Sequence, residues 1–278
     1  MVKLLEGGLT VEPVGLAVRL LGPVRLGVGK VDAALSPKVR QVLAVLALRP
    51  GSVVTHETLI AELWADHPPR SATTTMQTYV YQLRQAIDSL EGDQRGGEIL
   101  RTESQGYVLC AQVIDIDLDH FRALANKARA HLYESPDITV SLTRRALSLV
   151  HGDPLMDVNP GQVLHGGAVR IGEEIMAAQQ LAIEAQMRLS RYGEAIVELH
   201  ELCTRYPLRE WFSYRLMDAL ARAGRRVEAL EVYADLNRRL RDELGIDPSQ
   251  SFQRLHMQIL SGTDDPDYPS PGTTAQGA

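Results

Sequence analysis

Two cysteines in 278 residues, Cys110 and Cys203, lie far apart. They provide neither a metal-ligand spacing nor a disulfide framework, so both read as buried or bystander thiols. No apolar run approaches the eighteen or so residues of a membrane-spanning helix. Met1 to Pro13 carries a single lysine and only a short apolar stretch. It reads as an N-terminal extension rather than a signal peptide or an anchor, and a cytoplasmic protein is expected. Catalytic signatures are also missing. His165-Gly166-Gly167 has no G-x-S-x-G nucleophile elbow to serve. His200-Glu201 begins like H-E-x-x-H, but Thr204 stands where the second histidine would be, and Gly27-x-Gly29 runs on to Asp32 instead of a third glycine. No enzyme, metal or cofactor is expected. Positive charge is short as well, with 29 Lys+Arg against 35 Asp+Glu and a net charge of −6.

The chain does contain an unusual amphipathic segment, Ser71 to Ile87, SATTTMQTYVYQLRQAI. At about 100° per residue, Met76, Val80, Leu83 and Ile87 fall on one apolar stripe that must be buried. Thr74, Thr78, Tyr81, Gln82 and Gln85 lie roughly opposite, with Gln77 and Arg84 on a flank. Solvent faces usually favour Glu and Lys, whereas Thr73 to Thr75 are indifferent helix formers. Side chains of this kind donate and accept at base edges and phosphates.

The neighbouring segments give this helix a context. Ser36-Pro37 is a helix-start signal ahead of a stripe of Val39, Val42, Leu43 and Leu46. Thr55 is a second N-cap, ahead of Leu59, Ile60, Leu63 and Trp64. His67-Pro68-Pro69 then breaks the chain. Leu16 to Leu26 alternates around Gly22-Pro23 and reads as strands. Ile99 to Glu103 and Tyr107 to Leu109 flank Ser104-Gln105-Gly106, a tight connection expected to place glycine at positive φ. Strands, three short helices and a hairpin make a winged helix.

VRLLGPVRL, SPKVRQVLAVLAL, VVTHETLIAELW, SATTTMQTYVYQLRQAI and the Gly106-Tyr107 wing resemble the OmpR-like DNA-binding domain of the Streptomyces antibiotic regulatory protein family. The chain beyond the wing resembles that family's bacterial transcriptional activation domain, so the likeness runs from about Leu16 to Leu260. It implies an activator of secondary-metabolite genes, with a DNA-binding domain of the two-component output type. Such a protein binds double-stranded DNA at direct repeats near promoters and contacts RNA polymerase holoenzyme, sigma factor included. On this reading Thr74, Gln77, Thr78, Tyr81, Gln82 and Gln85 face the major groove. Arg84, Lys38, Arg40 and Arg70 reach the backbone, and Arg101, Ser104, Gln105 and Tyr107 form the wing contact at the minor groove or its backbone.

Residues 1–116 carry 11 basic against 12 acidic residues, and residues 117–278 carry 18 against 23. Between residues 13 and 90 the balance turns to eight basic against five acidic. Gln82 and Gln85 stand where the family often has basic residues. Few phosphate contacts predict a weak monomer and a shallow salt dependence, so binding should need a homodimer or tandem protomers on adjacent repeats.

The second half reads as helical. Tyr192-Gly193-Glu194-Ala195-Ile196 and Arg226-Val227-Glu228-Ala229-Leu230 align 34 residues apart, the period of a tetratricopeptide repeat. Leu199 and Tyr233 take the bulky position four later. Pro207 stops the first unit, while the second runs on to Gly245. His120 to Leu132 and Val140 to Leu149 suggest an earlier helical hairpin. HGDPLMDVNPGQVLHGGAVRIGEE, rich in glycine and turn residues, is expected to form a long loop over 151–175 packing against the repeats. The fold class is therefore mainly α with small β elements. An N-terminal winged helix at 14–112 precedes an all-α repeat domain at 117–262, with extensions at 1–13 and 263–278, the latter of disordered composition. The competing function class is a repeat scaffold or signal-binding protein whose winged helix makes protein contacts.

Overall fold

The computed structural model describes residues 15–92 and 94–262, so both terminal extensions lie outside the described residues. In chain order the elements are β1 (Leu16–Arg19), β2 (Arg25–Val28), β3 (Val31–Asp32), α1 (Pro37–Ala47), β4 (Val54–Thr55), α2 (His56–Trp64), α3 (Ala72–Glu91), α4 (Gly96–Ile99), β5 (Leu100–Glu103), β6 (Gly106–Leu109) and β7 (Asp115–Ile116). Seven helices complete the order: α5 (Asp117–His131), α6 (Pro136–Leu147), α7 (Gln162–Arg188), α8 (Tyr192–Arg205), α9 (Glu210–Arg222), α10 (Arg226–Leu244) and α11 (Gln250–Ser261). Residues up to 126 together with 144–178 form one compact unit, and residues 127–143 together with the chain from 179 form another.

In the first unit the leading strands build a sheet of order β3-β2-β1-β7, and the wing strands build a second of order β4-β6-β5. Helix α1 starts at Pro37, which needs no N–H there, but Ser36 makes no side-chain cap bond. Thr55 does cap α2, its hydroxyl accepting from the Thr58 N–H at 3.1 Å. The core takes Val18 and Leu26 from the sheet, Val42, Leu43 and Leu46 from α1, Leu59 from α2 and the Met76, Val80, Leu83, Ile87 stripe of α3, all at most 1% exposed. At roughly 1.5–3 kcal/mol for each fully buried large aliphatic side chain, these residues dominate the unit's stability.

The same core continues into Leu155, Val158, Leu164, Ile171 and Ile175. This corrects the expected loop. Residues 151–161 are turns, α7 begins at Gln162, and residues 151–175 complete the core of the winged-helix unit. Helix periodicity was hidden there by Gly161 and Gly167, which packing demands. A Cβ on Gly161 would lie 2.7 Å from the Glu62 carboxyl carbon, and one on Gly167 2.5 Å from a Leu48 methyl.

Three carboxylates stitch this unit. Asp117 accepts from the Leu20 and Leu21 N–H groups at 2.8 and 3.1 Å. Asp157 accepts from Val24 N–H at 2.7 Å and pairs with Arg25 and Arg40 at 2.8 and 2.9 Å. Glu62, 4% exposed, accepts from the Val163 and Leu164 N–H groups at 2.8 and 3.0 Å. That places a carboxylate on the first turn of α7, where unpaired N–H groups and the helix dipole favour it.

The second unit shows the 34-residue period in its backbone. Ala195 and Ala229 are both fully buried where paired helices meet. Helices α7 and α9 end in the same way: Arg191 N–H reaches Gln186 O at 2.9 Å, and Arg225 N–H reaches Leu220 O at 2.8 Å. Both are the longer bond of a Schellman cap. Ser190 holds the left-handed position at φ 55° in one copy and Gly224 holds it at φ 77° in the next. Arg188–Glu184 and Arg222–Asp218 ion pairs recur at the same spacing. Helix α10 ends at Leu244 with Gly245 at φ 68°, as the sequence suggested. Among the described residues no helix is long and apolar enough to cross a membrane.

Candidate nucleic-acid interface

Helix α3 is twenty residues long and stops where Gly92 adopts φ 74°. Ala72, Met76, Val80, Leu83 and Ile87 are its buried residues, while Thr73, Thr74, Gln77, Thr78, Tyr81, Gln82 and Gln85 are exposed. Thr73 belongs to this face although its place in the threonine run was the only sign of it. Local bonds organise the face. Thr78 Oγ1 donates back to Thr74 O at 3.0 Å, leaving its lone pairs outward. Gln85 Nε2 donates to the Tyr81 hydroxyl at 2.7 Å, which leaves the phenol proton and the Gln85 carbonyl free for other groups. Tyr81 is 59% exposed, so its ring and hydroxyl are accessible. No acidic residue occurs between Ser71 and Ile87.

The wing stands beside this helix. Its strands pair Leu100 with Leu109 through Glu103 with Gly106, so Ser104 and Gln105 form a two-residue turn. Neither they nor Gly106 has positive φ, contrary to expectation. Gly106 is required instead because a Cβ there would sit 2.0 Å from Val54 O of the neighbouring strand. Arg101 to Gln105 are exposed, and His56 N–H donates to Gln105 O at 3.0 Å, tying the wing tip to the start of α2.

Four of the expected contact residues are committed elsewhere. Tyr107 is 5% exposed, with the His56 ring edge-on at 5.2 Å and the Arg84 guanidinium 5.9 Å from its ring centre. Burial pushes its phenol above the ordinary value, Arg84 opposing. It is covered by His56 from the start of α2 and by Arg84 from α3. Arg84 donates from Nε and Nη2 to Leu100 O and from Nη2 to Thr102 Oγ1, so it braces α3 against the wing instead of reaching outward. Lys38 Nζ donates to Leu63 O at 2.5 Å and Gln41 Oε1 at 3.2 Å, closing the end of α2. Arg40 is neutralised by Asp157. Arg70, in the turn before α3, and Arg101, on the wing, are exposed and have no ion-pair partner among the described residues.

A helix buried on one side and carrying uncharged donors and acceptors on the other, braced to a hairpin wing and followed by 34-residue helical repeats, defines a winged-helix regulator with a repeat module. The chain belongs to the Streptomyces antibiotic regulatory protein family of transcriptional regulators. Residues 116–260 match the bacterial transcriptional activator domain, and residues 30–109 match the family described as transcriptional regulatory protein, C terminal. The chain is 35% identical to regulatory protein DnrI of Streptomyces peucetius, over 88% of its own length and 92% of DnrI. It is 32% identical to transcriptional regulator RedD of Streptomyces coelicolor, over 88% of its length and 70% of RedD. With regulatory protein AfsR of Streptomyces coelicolor it shares 37% identity over 90% of its length but only 24% of AfsR. The solved structure of Mycobacterium tuberculosis EmbR in complex with a low affinity phosphopeptide superposes with a TM-score of 0.81 at 27% identity, covering 90% of this chain and 66% of that one.

Proposed function

We propose that this regulator binds double-stranded DNA sequence-specifically and activates transcription of secondary-metabolite genes. The observation that carries the reading is the outward face of α3, a run of exposed Thr, Gln and Tyr side chains without acidic residues, opposite a fully buried stripe. Such a helix fits the major groove, about 12 Å wide, and Gln side chains there read adenine through two hydrogen bonds. Thr74, Gln77, Thr78, Tyr81, Gln82 and Gln85 are the reading residues. Arg70 holds a phosphate near the helix start. Arg101, Ser104 and Gln105 lie over the adjacent backbone or minor groove.

With only Arg70 and Arg101 to offer at this face among the described residues, each protomer grips weakly, because each neutralised phosphate contributes only about −0.9 to the slope of log affinity against log salt. Tandem protomers or a homodimer on direct repeats supply the missing affinity, and contact with RNA polymerase holoenzyme and its sigma factor turns occupancy into activation. Footprinting on the DNA flanking its own gene tests this. Protection of two or more evenly spaced repeats is expected, and no sequence-preferring protection at low salt would remove the reading. The stacked 34-residue hairpins of α7 to α10 favour one second reading, a scaffold that binds a peptide or small-molecule signal. In that case a pull-down would retain a partner while DNA binding stayed non-specific.

A further inference from the structure

Glu62 joins two helix ends within the winged-helix unit. Its backbone belongs to the last turn of α2, where Gln41 Nε2 donates to Glu62 O at 2.7 Å and Lys38 Nζ donates to the next carbonyl, Leu63 O. Its side chain leaves α2 and holds the N–H groups of the second and third residues of α7, Val163 and Leu164. A helix C-terminus receives cationic and amide donors while a helix N-terminus receives a carboxylate, each in the sense the peptide dipoles favour. Gly161 closes the contact, since even a methyl there would strike both the Glu62 carboxyl and its carbonyl oxygen. Directly after Trp64 the chain turns at Ala65, held at φ 50°, and reaches α3 within seven residues. Trp64 stacks on Tyr79 of α3 with ring centres 6.3 Å apart.

We infer that Glu62 is a positioning residue for sequence reading: by clamping the end of α2 to the start of α7 it fixes where the turn springs from, and hence how α3 is presented. This rests on the DNA-reading role of α3 proposed above. The segment after the wing thereby acts on recognition without touching DNA. Sites of this kind lose function when their supporting groups shift by even an ångström or less.

The test uses the full chain, in wild-type form and as Glu62→Ala, Glu62→Gln, Gly161→Ala and Asp157→Asn. Asp157→Asn is the control, because it loosens the same unit at the sheet rather than at α2. The first readout is amide hydrogen exchange without DNA. Glu62→Ala and Gly161→Ala should speed exchange over residues 63–75, Glu62→Gln should recover part of the protection, and Asp157→Asn should leave that stretch unchanged. The second is the ratio of affinity for the footprinted repeat over scrambled DNA, measured well below every variant's melting temperature. Glu62→Ala and Gly161→Ala should lower it about tenfold, the size of one misread base pair, and Asp157→Asn should not. Unchanged exchange over 63–75 in Glu62→Ala, or an equal loss of discrimination in Asp157→Asn, overturns the inference. Wild-type protein that does not discriminate would instead overturn the DNA-reading proposal, and the exchange data would still decide whether Glu62 sets the turn.

Discussion

The guanidinium of Arg84 meets the carbonyl oxygen of Leu100 through two donors, at 2.9 and 2.7 Å. A cation from the middle of α3 thus braces the first residue of the wing, tying the helix to the wing strand.

Arg84→Ala should therefore cost stability rather than phosphate contacts. Loss of hydrogen bonds from a charged donor predicts destabilisation of about 1.5–3 kcal/mol in urea denaturation. The salt slope of DNA binding should stay as in wild type. Arg101→Ala should do the reverse, leaving stability within about 0.5 kcal/mol, as is usual for surface substitutions. Its salt slope should become shallower by about one unit per protomer. A shallower slope in Arg84→Ala would mean that its brace releases on DNA.

Replacing Thr78 and Tyr81 together by alanine should abolish preference for the cognate repeat in a gel shift while the melting temperature stays as in wild type, because both side chains are exposed. Met76→Ala or Leu83→Ala, at 0% exposure, should instead destabilise the unit by about 2–5 kcal/mol. Unchanged affinity in the double variant would remove those two residues from the reading face.

Gly106→Ala should be among the most damaging small substitutions in the wing. The added methyl meets Val54 O at 2.0 Å and Thr55 Cα at 2.8 Å, both backbone atoms of β4, with no flexible group to yield. Destabilisation of about 3 kcal/mol is expected from overpacking of this kind, checked by thermal or urea unfolding.

Ser190→Gly should stabilise the repeat unit by roughly 0.5–1 kcal/mol, since the left-handed conformation at φ 55° strains a side chain more than glycine's extra freedom costs. Gly224→Ala, the same position one repeat later, should destabilise by about 1 kcal/mol. Opposite signs at positions 34 residues apart are the signature to look for in melting experiments.

His256 stacks on Tyr233 with ring centres 3.8 Å apart, and burial lowers its basicity below the ordinary value of 6.5. The folded chain therefore binds that proton less readily than the unfolded chain. The stability from neutral His256 is fully present above 6.5 and is lost as pH falls through the folded value. Melting temperatures measured from pH 7.5 downwards should fall more steeply for wild type than for His256→Phe.

The buried stripe of α3 was legible because a 3.6-residue period records which side chains face the core, and the 34-residue offset was legible because paired helices need a small residue at each crossing. Partners distant in sequence were not. Nothing near Arg40 announces Asp157, and nothing near Glu62 announces Val163, so a basic residue looked available and a glycine-bearing helix looked like a loop. Tyr107 and Gly106 were misread for a related reason. A hairpin signal identifies the turn but not the third strand, β4, that encloses one side of it. The family resemblance named both domain types correctly, while the commitments of Lys38, Arg40 and Arg84 depend on contacts particular to this fold.

The glycine contacts at 161 and 167 also govern how such a chain could be recombined. A crossover placed in the short connection after residue 109 would look harmless in an alignment, yet it would strip Leu155, Leu164, Ile171 and Ile175 from the winged helix and leave Glu62 facing no helix end. A transplantable winged-helix unit must carry the first half of α7 with it, so any chimera is joined in the middle of a helix, where helical register, rather than linker length, decides whether the graft works.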